Sequence, residues 1–208
     1  MSDRVVRAIG LTGGIATGKT ATSHYLADIC KLPILDADIY AREAVHPGSP
    51  ILDSIVQRYG ATLLLPDGNL NRPELGNIIF CNPAERQWLE QQIHPYVRRR
   101  LVEETQTCIA AWNRVSPNTL TVVLVVPLLF EANMTDLCTE IWVVYCSPEV
   151  QLQRLMQRDG LNGDRADARI NAQMPLAQKC QQADVVLDNS STLDSLFLQV
   201  DAQLNRSI

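Results

Sequence analysis

Lysine is scarce in this sequence of 208 residues: of 18 basic side chains only three are lysines, Lys19, Lys31 and Lys179, and the rest are arginines. Basic charge is itself in deficit, 18 against 23 acidic residues for a net charge of −5, which excludes a dedicated nucleic-acid binder with its usual basic excess. Zinc-type cysteine spacing is missing too. The six cysteines, at 30, 81, 108, 138, 146 and 180, form no C-x-x-C pair, and their gaps suit neither a zinc site nor a compact disulfide framework. They read as reduced thiols acting as small hydrophobes. The most apolar stretch, Leu120 to Phe130, falls far short of the ~20 residues that span a bilayer. The opening MSDRVVRAIGLTGG has no apolar run leading to a small-residue cleavage site. A soluble cytoplasmic protein without a membrane partner is expected. No period of roughly 20–50 residues repeats, which excludes a solenoid. With 46% hydrophobic and 20% charged residues the chain is of ordinary globular composition and can bury a core, so disorder is excluded as its main state.

What is present is an alternation of strand and helix signals. Val5 to Leu11 is a short β-rich run ending in Thr12-Gly13-Gly14, a buried strand meeting a glycine turn. A helix follows over about 19–30. Pro33-Ile34-Leu35 reads as a second strand ending at Asp36, and a helix over 39–45 stops at Pro47-Gly48. Another helix runs from Pro50 to Tyr59 and closes at Gly60. Residues 60–115 differ in texture: a turn at Pro66-Asp67-Gly68-Asn69, a helix over 72–80, and a long helix over 83–112 that His94-Pro95 interrupts or kinks. LTVVLVV (120–126) has the continuous β-branched character of a central parallel strand, and IWVVY (141–145) and DVVL (184–187) supply further strands. Helices are expected over 149–158, 165–173 and 192–204. Strands separated by helices predict an α/β fold with a parallel sheet.

Residues 13–20 read Gly13-Gly14-Ile15-Ala16-Thr17-Gly18-Lys19-Thr20, the G-x-x-x-x-G-K-T phosphate-loop pattern. Glycines let the backbone curl so that successive N–H groups face one anion, and the helix N-terminus adds its dipole. Lys19 is placed to reach the β- and γ-phosphates, and the Thr20 hydroxyl takes one position on Mg2+. Ala21 continues the helix at the same ligand. The motif follows a predicted strand and opens a predicted helix, the context it requires.

A phosphate loop specifies a nucleoside triphosphate, not a reaction. A switch GTPase needs N-K-x-D, and none of the three lysines follows an asparagine. A motor ATPase places an acid at the end of a core strand, where this chain continues as Pro127-Leu128-Leu129-Phe130-Glu131. A small-molecule kinase remains, and a kinase offers a carboxylate for the proton of its acceptor hydroxyl. Asp36-Ala37-Asp38 ends the second strand, on the sheet edge where ligands of open α/β folds bind. Two readings stand for it: a catalytic or binding pair, or an N-cap in which Asp38 merely starts the next helix. His94 is either a substrate residue or a core residue at the kink. Arg98-Arg99-Arg100 is either a solvated helix face or a diphosphate contact, with at most two of the three pointing one way. The same choice applies to Arg154, Arg158 and Arg165, which stand among Asp159 and Asp164 as a solvated ion-pair face or as lid arginines.

The ordered set LTGGIATGKT, DADIYAR (36–42), HP (94–95), VVPLLFE (125–131), QLQRLMQRD (151–159) and AD-x-x-x-D-N (183–189) resembles the dephospho-CoA kinases over nearly the whole chain. The phosphate loop in that set is generic; D-A-D-x-x-x-R with P-L-L-F-E is far more specific. The resemblance implies ATP-dependent phosphorylation of the ribose 3′-hydroxyl of dephospho-CoA, the last step of coenzyme A synthesis, with Mg2+. It implies a three-layer phosphate-loop kinase fold with a nucleotide-binding core (1–60, 116–150, 176–208), a helical CoA-substrate-binding insertion (61–115) and a lid (151–175). By the same resemblance the 13–21 loop and Lys19 hold the ATP phosphates, and Asp38 is the base near the 3′-hydroxyl. Asp36 assists it, and Arg42 and His94 hold the acceptor. Arg154 reaches the transferring phosphate, and Asn189 lies on the adenine side. Partners are then small molecules, ATP and dephospho-CoA, with no nucleic acid, and the protein a monomer or weak homo-oligomer. One departure is that the family often has Gly-Ser where this chain has Ala16-Thr17. Two other readings compete: a different small-molecule or nucleoside monophosphate kinase, and a scaffold that binds ATP without transfer.

Overall fold

The computed structural model describes residues 6–112 and 120–206. Val5, the expected start of the first strand, and residues 113–119, where the insertion was expected to rejoin the core, lie outside the described residues. Five strands are present: β1 (Val6–Gly13), β2 (Ile34–Asp36), β3 (Leu120–Val125), β4 (Glu140–Tyr145) and β5 (Val185–Asp188). The helices are α1 (Lys19–Asp28), α2 (Ala37–Glu43), α3 (Pro50–Tyr59), α4 (Arg72–Cys81), α5 (Pro83–Trp112), α6 (Pro148–Asp159), α7 (Gly163–Asn171), α8 (Leu176–Gln181) and α9 (Leu193–Leu204). The chain divides into two compact units, one of Met1–Asp36 with Glu104–Ile208 and one of Ala37–Glu103.

The first unit holds the sheet, in the order β2-β3-β1-β4-β5, with every pairing parallel. This is the α/β fold expected from the sequence. β1 and β3 are central, which explains why Leu120–Val126 carries almost no polar residue: both faces are covered. On one face Ile9, Leu11, Val123, Val125, Trp142, Val144, Val185 and Leu187 meet Leu26 of α1 and Leu196 and Val200 of α9 in one apolar cluster. On the other, Gly10 leaves room for Cys138 and Leu129, because a Cβ there would sit 2.5 Å from the Cys138 sulfur. Cys30, Cys108, Cys138, Cys146 and Cys180 are all free thiols, and burial pushes Cys138 up to about 12.

The second unit is helical. Ser49 caps α3 by accepting the Leu52 N–H at 3.1 Å, with Pro50 in the first turn and Gly60 at φ 91° ending it. Asn71 caps α4 in the same way, accepting the Glu74 N–H at 3.3 Å. Leu52 and Ile55 pack with Ala44, Leu63, Leu70, Leu75 and Leu89, so α3 and the turn that ends α2 share a core with the helices after them. The compact unit runs from Ala37 to Glu103. Two differences from the sequence reading concern helices. α5 continues through Pro95 as one element of 30 residues, with no interruption at His94-Pro95. α8, six residues after Pro175, has too little periodicity to be seen in sequence.

Candidate active site

The phosphate loop connects β1 to α1. Gly13 is required by close approach, since a Cβ there would lie 2.6 Å from the Val144 carbonyl oxygen. Gly18 is required by conformation, at φ 106°, and a Cβ would collide with the Asn189 amide. Ala16 also has positive φ, at 60°, a conformation that glycine adopts more easily. Thr17 is fully buried and donates from Oγ1 to the Gly14 carbonyl at 3.0 Å, closing the turn. Lys19 and Thr20 open α1. No side chain caps this helix and its first turn holds no acid. The helix thus starts directly from a glycine loop with no side chain of its own over its N-terminus, which is the arrangement that receives phosphate.

Four side chains from outside the loop fix its shape. Asn189 donates from Nδ2 to the Thr17 carbonyl at 2.8 Å. Two glutamines grip Ile15: Gln151 on α6 donates to its carbonyl at 2.8 Å, and Gln173, after α7, accepts its N–H at 2.9 Å. Lys179 on α8 is fully buried, with Nζ 2.9 Å from Glu131 Oε1, 3.2 Å from the Pro127 carbonyl and 3.5 Å from the Gly13 carbonyl. Glu131 Oε1 also accepts the Met174 N–H at 3.0 Å, while Oε2 is buried without a hydrogen-bond partner among the described residues. Asn189 was expected at this site from the sequence, but Gln151, Gln173, Glu131 and Lys179 were not given roles. The rarity of lysine was a signal for Lys179; its burial is invisible in the chain order.

Arg154 and Asn189 are brought together: the Arg154 guanidinium donates to the Asn189 carbonyl at 2.9 Å, beside the loop. Arg158 forms a fork with its neighbour Asp159, at 2.8 and 3.2 Å, and Arg169 reaches the same carboxylate at 2.6 Å. Hydrogen bonding from Arg158 holds the Asp159 carboxyl below its usual range. The ion-pair face is thus what Arg158 belongs to, and Arg165 is exposed. The loop-like Leu161-Asn162-Gly163 leads into α7, with Asn162 as its N-cap accepting the Arg165 N–H at 3.0 Å.

Asp36 ends β2 in register with Val125, which is itself in register with Leu11. It therefore sits on the sheet edge from which the phosphate loop leaves. Asp38 lies in the first turn of α2, which begins at Ala37, so it is within the helix and does not precede it as an N-cap. In the second unit Arg42 is exposed, and its carbonyl faces the Arg72 guanidinium at 3.5 Å. Burial, with a smaller contribution from the Arg42 charge, lowers the Arg72 pKa. His94 is half-buried on α5; burial pushes its pKa down, and Glu90 one turn earlier opposes this. Arg99 and Arg100 both approach Glu103, at 3.8 and 3.7 Å, and Arg100 also approaches Glu43 at 3.4 Å. Those two arginines are in the ion pairs of a helix face.

Comparison with known proteins decides the family. The sequence profile of the dephospho-CoA kinases matches residues 7–195. The chain belongs to the dephospho-CoA kinase family. It is 60% identical over 199 residues to the dephospho-CoA kinase of Trichormus variabilis, covering 96% of this chain and 97% of that protein. The fold matches the crystal structure of TT1252 from Thermus thermophilus with a TM-score of 0.77 at 30% identity, covering 97% of both chains. It matches the dephospho-CoA kinase of Campylobacter jejuni with a TM-score of 0.68 at 25% identity, covering 95% of this chain and 94% of that one. A dephospho-CoA kinase is a phosphotransferase using a nucleotide, so this chain is a kinase that phosphorylates dephospho-CoA. The reading as a scaffold without transfer is set aside, as is that of a kinase for another acceptor.

Proposed function

We propose that the protein transfers the γ-phosphoryl group of ATP, with Mg2+, to the ribose 3′-hydroxyl of dephospho-CoA. The observation that carries this is the uncapped N-terminus of α1 beneath a glycine loop, with Lys19 at its first position. Such a loop presents N–H groups and one ammonium to a chain of phosphates. Phosphoryl transfer asks mainly for positioning and charge stabilisation, which backbone donors and cations supply. Residues 13–21 hold the phosphates and Lys19 the β- and γ-groups. Among the described residues no cluster of three His, Cys, Asp or Glu side chains could hold a metal alone. Mg2+ keeps several of its waters, and the Thr20 hydroxyl together with the substrate phosphates would hold it. When bound, it neutralises charge on the phosphates.

Asp38 takes the proton of the acceptor hydroxyl, and Asp36 assists it. Arg42 and His94 hold the acceptor from the helical segment, which serves as the CoA-substrate-binding part. Residues 151–175 form a lid that excludes water, so that ATP is transferred and not hydrolysed. Within it Arg154 reaches the transferring phosphate, and Asn189 supports the adenine side. The partners are small molecules, with neither nucleic acid nor membrane. Among the described residues no helix is long and apolar enough to cross a membrane. A cytoplasmic monomer or weak homo-oligomer completes the reading.

The test is conversion of dephospho-CoA to coenzyme A by purified protein with ATP and Mg2+, alongside Lys19→Ala. Wild-type conversion that disappears in Lys19→Ala and on chelation with EDTA is the expected result. Near-normal kinetics in Lys19→Ala would sink the phosphate-loop assignment.

A further inference from the structure

Lys179 has no place in the phosphate-loop motif, yet it is fully buried directly behind the loop. Burying an ammonium is costly, and a matched apolar residue often serves stability as well or better. The value of a lysine here lies in where its three donors point. One points to the Gly13 carbonyl at 3.5 Å, at the residue where β1 becomes the loop. A second points to the Pro127 carbonyl at 3.2 Å, just beyond β3, an oxygen that also accepts from Thr12 at 3.2 Å. The third meets Glu131 at 2.9 Å. Because a peptide group is planar and trans, turning the Gly13 carbonyl toward Lys179 sends the Gly14 N–H to the opposite side.

The same ammonium is tied to the end of the lid. Glu131 accepts the Met174 N–H at 3.0 Å, and the preceding residue, Gln173, accepts the Ile15 N–H of the loop at 2.9 Å. Loop entry, sheet edge and the segment returning from α7 thus converge on one buried ion pair.

We propose that Lys179, paired with Glu131, is a positioning residue for the kinase reaction: it sets the first peptide plane of the phosphate loop and locks the loop to the returning segment of the lid. The proposal rests on the loop holding the phosphates of the nucleotide donor. Its effect is therefore on the donor and not on the acceptor.

The test compares wild type, Lys179→Met and Glu131→Gln, varying ATP and dephospho-CoA separately, at a temperature well below each protein's unfolding midpoint. Lys179→Met is expected to lower kcat by ~10–100-fold and raise KM for ATP, since small misplacements at the reacting centre have effects of that size. KM for dephospho-CoA should stay within about 2-fold, because no acceptor contact is lost. A lowered unfolding midpoint with ATP constants unchanged would reduce Lys179 to packing and overturn the proposal, as would equal increases in both KM values. Should Lys179→Met not fold, Glu131→Gln decides. Its amide keeps the shape and the Met174 acceptor but removes the charge facing Lys179, and a smaller loss confined to ATP is expected. Unchanged ATP constants in that variant would overturn the proposal. Absence of turnover in wild type would instead strike at the nucleotide reading beneath it.

Discussion

Asp38 stands exposed in the first turn of α2. In the proposed reading it takes the proton of the acceptor hydroxyl. Asp38→Asn is expected to lower kcat by about 10²–10⁴-fold, the usual worth of a positioned proton acceptor, with KM for ATP little changed. Steady-state kinetics at saturating acceptor measure it; normal turnover would move the base elsewhere. His94 yields a prediction from its pKa, which burial lowers from 6.5. Well above pH 6.5 the imidazole is neutral in folded and unfolded chains alike and contributes nothing to pH dependence. Below it the unfolded chain takes up the proton first, so stability falls as pH drops from there to the lowered folded value. Urea unfolding at pH 7.5 and 5.5 (roughly one unit either side of the free imidazole value) should show less acid destabilisation in His94→Gln than in wild type. At this scale the motif residues were legible because the chemistry depends on residue type and spacing. The strain at Ala16 was not, since φ 60° costs an L-residue about 1 kcal/mol but leaves no mark on the residue's identity.

At the scale of elements, sequence reading works where the signal is local. The bounds of α3 and the start of α5 were readable from Pro50, Gly60 and Pro83 alone, because caps and prolines act on the residues beside them. α2 starts two residues earlier than expected, since nothing local separates an Asp that caps a helix from one inside its first turn. The far end of the chain illustrates the opposite case. Arg7 on β1 is 6% exposed and forms an ion pair with Glu140 of β4 at 2.9 Å. It also donates to the carbonyls of Gln203 and Leu204 at 3.0 and 3.1 Å, closing the C-terminal turn of α9. Arg7→Met strands the Glu140 charge and the α9 carbonyls together, and should cost about 3 kcal/mol of stability. Chemical denaturation measures this. Arg7 touches nothing in the loop among the contacts described, so kcat of the folded variant should match wild type; a loss of kcat without a loss of stability would contradict the assignment.

For the whole molecule, ligand binding and stability are one equilibrium. A nucleotide that binds only the folded chain, present at ~100 times its Kd, adds about 2.7 kcal/mol. For a chain of this size that corresponds to a rise in Tm of roughly 5–10 °C. ADP with Mg2+ should produce such a shift in wild type and little or none in Lys19→Ala, as read by thermal melting. An equal shift in both would detach stabilisation from the phosphate loop. The division into units at Asp36/Ala37 and Glu103/Glu104 is also a property of this scale. It follows from which apolar side chains share a core, and Leu52 and Ile55 join Leu75 and Leu89 across intervening turns.

The scarcity of lysine that marks the sequence has two structural outcomes. Lys19 was proposed for the phosphates by order alone, from a strand, a glycine turn and a helix in succession, and every step is local. The parallel α/β architecture and the kinase family were determined in the same manner, by alternating patterns and spaced motifs. Lys179 was decided only by the tertiary structure. Its contact with Gly13 spans 166 residues, and that of Asn189 with Thr17 spans 172. Contacts at such separation are made when the sheet closes and α8 settles behind the loop. They depend on packing in three dimensions, which no pattern along the chain encodes.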